Sequence, residues 1–537
     1  MAPGPAAAAD TPYGMFLAGN AALNAGRSDE AARFLALART QSGGEATVSE
    51  RAFTAALLAG DVKLAAELAP EGPTASEPGK RMGRLVKAVE ALADGKGKAA
   101  QEQLVVDSIG FPHRSAAALL APWAAAQAGD VEGSLVRPQV RGDPTVDYFG
   151  QLGQAHLFER ARRYDEAETD FKAVTDGEAP SEMAVLAYGG FLERRGRRPD
   201  ALALYDAALQ RTPGSLGLQA ARKRAAAGRA APPAPSIKEG AALAMLAPAA
   251  TMTAAKQAQI GLAYLRLALR LDPERNDAWL MVGDILQASG DTLGARTAYA
   301  RPKPGSPEYA AGQAKLAWSY QQAEDTETAI RLARAAAATG DVDARLTLSD
   351  LLRANGQYAE SVQILGELIG EAQEPDWRLY YARGAALSLM DRWPEAEADL
   401  IAALKLRPDE PELLNFLGYT WIDKGERLPE AMAMVEKAVA SNPRSGAMID
   451  SLGWAHYRMG DYKAAVEKLE QAVELEAGDP EINNHLGDAY WMVGRKDEAV
   501  FQWRRVLTLR PDEKIKADAE RKLASGQGPD APRLANQ

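Results

Sequence analysis

A small side chain returns along this sequence at a nearly constant step, and that step restricts the fold more than any other feature. Ala, Gly or Ser stands at Ala31, Ala65, Ala100, Ser134, Ala167, Ala201, Gly261, Ala295, Ala329, Ser361, Ala396, Ala431, Ala465 and Ala499. Twelve of the thirteen intervals measure 32 to 35 residues, and the exception, Ala201 to Gly261, measures 60. A repeat of this length is one supersecondary unit that touches only its neighbours, so 537 residues can fold without one oversized core.

Other residues keep fixed offsets from the small one. Five positions before it stands a glycine in nine units, among them Gly60, Gly129, Gly290, Gly460 and Gly494, suited to end one helix and turn into the next. Twelve before lies a second small residue, as in Gly19, Gly189, Gly283, Gly453 and Gly487. Four after comes a large apolar one, as in Phe171, Tyr205, Leu265, Leu469 and Trp503, one helical turn away on the same face. Twelve after, Pro213, Pro273, Pro408, Pro443 and Pro511 close the second helix. Two helices approach closely only where the crossing side chains are small, and neither buries its apolar stripe alone.

The predicted fold is therefore all-α, about 14 stacked helix-turn-helix units. The expected order is a disordered leader (1–12), a block of six repeats (13–224), a Pro- and Ala-rich linker (225–236), a block of eight (237–510), a capping helix (511–525) and a disordered tail (526–537). Pro138 occupies the large-apolar place of the unit around Ser134, so the second helix there should be short or bent. A spacing one residue too long before Ala431 predicts a distended turn at Glu426–Pro429.

Composition narrows the chemistry. A net charge of −11 argues against a nucleic-acid partner, whose affinity comes from clustered Lys and Arg. Basic runs such as Arg194–Arg198 and Arg222–Arg224 read as solvated helix ends. With no cysteine there is no disulfide framework and no thiolate nucleophile. No stretch reaches the length of a membrane span. The four histidines, His113, His156, His456 and His485, lack metal-ligand spacing, and packed, satisfied side chains are expected. Walker, dinucleotide-binding and nucleophile-elbow motifs are missing, so neither a catalytic residue, a cofactor nor a metal is expected. The chain reads as a protein-binding scaffold rather than an enzyme.

The units around Leu452-Gly453, Gly460-Asp461-Tyr462, Ala465, Leu469 and Ala472, and around Leu486-Gly487, Tyr490, Gly494, Ala499, Trp503 and Pro511, resemble the tetratricopeptide repeat (TPR). The resemblance implies a right-handed superhelix whose first helices line a concave groove for protein or peptide clients. Inward-facing positions would be Trp318, Tyr381, Asn415, Tyr419, Asp450, Trp454, Tyr457, Arg458, Asn484, Asp488 and Trp491. Asn amides can pair with an extended peptide, and Trp and Tyr supply apolar area with a polar tip. The Lys and Arg cluster of the family's chaperone-tail clamps is missing. About residues 375 to 512 are similar to exported bacterial repeat proteins, some of them outer-membrane lipoproteins that act as adaptors of periplasmic carboxy-terminal processing proteases. That similarity implies a periplasmic adaptor, attached to a membrane only if a lipidated cysteine precedes this sequence. A cytoplasmic assembly factor is the alternative.

Overall fold

The computed structural model describes residues 11–105, 109–177, 180–212, 214–372 and 375–529. Among them are thirty helices and no strand, the all-α repeat solenoid that the period predicts. Each recurring small residue lies on the second helix of a helix-turn-helix pair. Leu216–Ala226 and Glu513–Ser525 are single helices outside the pairs.

The spacing rules become contacts. Ala201, Ala465 and Ala499 are completely buried, and the large residue one turn later rests on the glycine of the first helix. A Cβ added at Gly487 would lie 2.5 Å from Trp503 Nε1, and one at Gly189 would lie 2.3 Å from the Tyr205 ring. Only a bare backbone admits such rings. Between the two helices of a pair, a Gly-Asp dipeptide often makes the turn. The glycine closes the first helix at positive φ, as at Gly60 (+94°) and Gly129 (+81°). The aspartate then caps the second: Asp61 accepts from the Leu64 N–H, and Asp461 from the Ala464 N–H.

The unit around Ser134 has a second helix of four residues, Val131–Ser134, as Pro138 predicts. Its two predecessors, Val62–Glu67 and Gly97–Gln103, are short as well. The turn before Ala431 is not longer than its neighbours: three residues separate the helices here as after Arg458 and Met492, and the extra residue instead lengthens the first helix, Pro411–Lys424, to fourteen, while Gly425 and Arg427 both take positive φ.

The chain forms two compact units that part between Thr347 and Leu348. This is not the expected division at 225–236, and the reason lies in the first unit. There the helices Ile237–Ala254 and Ala258–Leu271 do not simply continue the row. They pack across four earlier first helices, Ala46–Ala59, Glu77–Ala93, Arg114–Ala128 and Pro144–Arg160. Polar anchors fix them. Arg270 makes a two-pronged ion pair with Glu90 (2.8 and 2.9 Å), Arg266 Nε donates to the Leu58 carbonyl (2.9 Å), and Tyr264 hydroxyl meets His113 Nδ1 (2.7 Å). The Trp123 indole fills the space a Cβ at Gly240 would take. The first turn, at Gly26, touches Ser289 of the eighth repeat.

The Pro-rich stretch is no free linker. Arg194 pairs with Glu159 through two hydrogen bonds and donates to the Pro232 carbonyl, and Arg198 donates to the Gly228 and Arg229 carbonyls. Arg195 lies 3.7 Å over the Tyr164 ring, Arg197 pairs with Glu168 and Asp200, and Arg222 and Arg224 pair with Asp206 and Glu193. The basic runs lie at helix ends and are largely exposed, as expected, and several of their guanidiniums also clasp neighbouring repeats.

In the second unit the row ends on Glu513–Ser525, which packs on the last pair through Ile515, Ala519 and Leu523. Residues 1–10 of the expected leader and 530–537 of the expected tail lie outside the described residues. The first helix already begins at Pro12, and Gly528 sits against the Trp491 indole.

Candidate protein-binding face

The second unit aligns four first helices, Trp377–Leu389, Pro411–Lys424, Gly446–Arg458 and Pro480–Met492. The Tyr419 hydroxyl donates to Glu481 Oε1 at 2.5 Å, a bond from one first helix to the second one after it. Side chains can bridge that gap only where the row bends inward, so this is the hollow side of the unit. Burial, then the neighbouring Glu481 charge, pushes the Tyr419 hydroxyl far above its ordinary pKa, which keeps it a donor.

Ten of the eleven expected residues lie on these helices; Trp318, the other, belongs to the first unit and is exposed. Tyr381 is half-buried, its ring edge-on to Phe416 at 5.9 Å. Trp454 is sandwiched, stacked on Tyr457 at 4.5 Å and on His485 at 4.0 Å. His485 Nδ1 donates to both oxygens of the buried Asp450, at 3.0 Å each. Burial opposes charge on this imidazole, but Asp450, with help from Glu481 and Asp488, outweighs it and raises the pKa to about 9. His485 is thus the packed, satisfied side chain expected, whereas His156 is buried with Nδ1 lacking a partner. Burial depresses His156 to about 3.

The last repeat is used differently. Asn484 and Asp488 are buried under the capping helix, where Lys522 Nζ reaches Asn484 Oδ1 (3.2 Å) and Asp488 (2.7 Å). Asp488 also accepts from Trp503 Nε1 (3.0 Å), and Asn484 donates to Asp518 (3.1 Å). Trp491 packs between Trp503, Lys496 and Gly528. Arg458 bonds the Asp423 carbonyl. These four serve contacts within the chain. In the middle of the face, Asn415 Oδ1, Trp454 Nε1 and the Tyr457 hydroxyl are buried without hydrogen-bond partners. Glu481 and Lys522, partners of Tyr419, Asn484 and Asp488 through these bonds, were missed: Glu481 lies two repeats beyond Tyr419, and Lys522 lies on the capping helix.

A family model described as tetratricopeptide repeat matches residues 152–215, 381–445 and 451–513. These segments are tetratricopeptide repeats. A TPR repeat-containing protein of Pseudomonas aeruginosa is 30% identical over 209 residues, which are 38% of this chain and 35% of that protein. The chain thus matches about a third of that relative's length. Among solved structures, the APC/C hetero-tetramer Cut9-Hcn1 aligns over 89% of this chain and 96% of its own at 16% identity, with a TM-score of 0.40. A tetratricopeptide repeat protein from Parabacteroides merdae aligns over 46% and 97% at 13% identity, with a TM-score of 0.39. Tetratricopeptide repeats generally mediate protein–protein interactions, and their scaffold is generally non-catalytic. The matched segments 381–445 and 451–513 contain every expected residue of the second unit except Asp450, the Trp454 sandwich included.

Proposed function

We propose that this chain is a non-catalytic protein-binding scaffold that holds an extended client segment against the first helices Trp377–Leu389, Pro411–Lys424 and Gly446–Arg458. The observation behind this reading is the set of unpaired polar atoms there: an acceptor at Asn415 Oδ1, a donor at Trp454 Nε1 and the Tyr457 hydroxyl. A buried polar atom without a partner costs about 1–3 kcal/mol, and a peptide backbone offers both the N–H and the C=O that would relieve it. The face stores a demand that a client's main chain meets once side-chain movement on binding uncovers these atoms.

The test pairs Trp454→Phe, which keeps the ring stack and removes the donor, with Asn415→Leu. Peptides enriched from a random 15-residue library on the natural chain should bind the double variant about ten-fold more weakly or worse, roughly one hydrogen bond per position. Helicity should be unchanged, because the atoms removed had no partner in the free chain. Undiminished binding would refute the reading.

The finer form of this proposal is an adaptor in the bacterial periplasm, holding a client and a carboxy-terminal processing protease on one frame and so raising their effective concentration. It rests on the similarity of residues 375 to 512 described above. Co-purification of such a protease with the chain from envelope extracts, and not from cytosol, would support it; exclusively cytosolic partners would favour an assembly factor.

A further inference from the structure

The first unit has the same row of first helices, yet a helix pair of its own lies against them. We infer that Ile237–Leu271 is the resident ligand of the inner face of the N-terminal repeats, so that client capture, on the reading above, falls to the second unit alone.

One helix pair can touch four successive first helices only if they curve around it, and Ile237–Leu271 touches Ala46–Ala59, Glu77–Ala93, Arg114–Ala128 and Pro144–Arg160. After its exposed first turn, the helix Ala258–Leu271 has no exposed residue from Gly261 onward: Leu262, Tyr264, Leu265, Leu267, Leu269 and Leu271 are each at most 7% exposed. Such a helix keeps no polar face for solvent, the mark of an element enclosed by others. Its charged groups are spent on the enclosing helices, Arg270 on Glu90 and Arg266 on the Leu58 carbonyl, while Lys238 of the partner helix bonds the Ala93 carbonyl at 2.5 Å. These are contacts a bound client makes, a main-chain carbonyl and a bidentate ion pair included, supplied from within the chain at separations of 145 to 208 residues. Of the four repeats that curve around the pair, one keeps an outer helix of twelve residues, Tyr164–Thr175, while in the other three the outer helices are cut to six, seven and four, Val62–Glu67, Gly97–Gln103 and Val131–Ser134. Apolar burial that outer helices supply elsewhere is supplied there from inside. A client entering this face would have to expel the whole pair.

The absence of native cysteine permits a direct test in the full chain. Glu90→Cys/Arg270→Cys, joined by a short bismaleimide, pins the pair in place. Random-library peptides enriched on the natural chain should bind the cross-linked chain within about two-fold of the uncross-linked variant, and a loss of ten-fold or more would overturn the inference, because the pair would then have to move. In the natural chain, saturating peptide should slow amide exchange in 411–424 and 446–458 but not in 46–59, 77–93 or 114–128. New protection in those N-terminal helices would likewise overturn it. Should no peptide be enriched, the scaffold reading fails, and exchange in the free chain still decides the inference. The amides of 258–271 must then exchange as slowly as those of 77–93, and a pair that opens well ahead of the helices it covers is a removable lid instead.

Discussion

Trp454 has both ring faces occupied, by Tyr457 from its own helix and by His485 from the next repeat, and the charge on His485 depends on Asp450. An imidazole whose pKa rises from 6.5 when unfolded to about 9 when folded stabilises the fold fully below the lower value. That contribution fades as pH climbs through about 9. Melting temperatures measured from pH 6 to 10 should therefore fall across the upper half of that range, and His485→Gln should flatten this part of the profile; superimposable profiles would refute the linkage. Asn415, Trp454 and Tyr457 were legible because the repeat register points to the inner positions of each first helix. The sandwich was not, since His485 stands 31 residues beyond Trp454 and register alone does not say which side chains of adjacent repeats meet. A tryptophan with both faces covered offers a client little of the apolar area expected of an inward-facing Trp.

Among the elements, the capping helix shows how a predicted binding position becomes a structural one. Lys522 is 2% exposed and joins Asn484, Asp488 and Asp518, while burial, its effect the largest, raises the Asp488 pKa despite the lysine. Removing one member of a buried pair strands the other charge, so Lys522→Ala should cost about 3–5 kcal/mol, whereas Lys522→Met with Asp488→Leu should recover much of it. Urea unfolding followed by Trp503 fluorescence measures both, and equal losses in the single and double variants would refute the pairing. The capping helix itself could be read from the sequence, but its lysine looks like any solvent-facing cation in an amphipathic pattern. The helix Ala258–Leu271 was misplaced for a similar reason. Its small residue, Gly261, keeps the period with Ala295, which assigned it to an ordinary repeat. No contrary signal stood out: Gln259, Arg266 and Arg270 share one face, so the helix reads as an ordinary amphipathic one, and only the structure shows that this polar stripe meets other helices rather than solvent.

At the scale of the molecule, the two units carry one motif under two kinds of connectivity. In the second, packing runs chiefly between neighbouring helices, the pattern of a quasi-one-dimensional array. In the first, Arg270 reaches Glu90 across 180 residues and Gly26 meets Ser289, so distant repeats share one core. Hydrogen exchange in mild denaturant should therefore find one common opening energy for the N-terminal helices from Ala46 to Leu271 and a graded series from repeat to repeat after Leu348. Graded exchange in both would contradict the difference. Repeat number and helix class were plain in the spacing; the turning back of the first unit was not, because it depends on how small rotations accumulate over several repeats. That turning back fixes arithmetic as well as shape. An open row can gain or lose a member without strain, but one whose seventh pair must arrive beside its second through fifth has a set membership, so duplication and deletion can lengthen or trim only the part that does not return to its start.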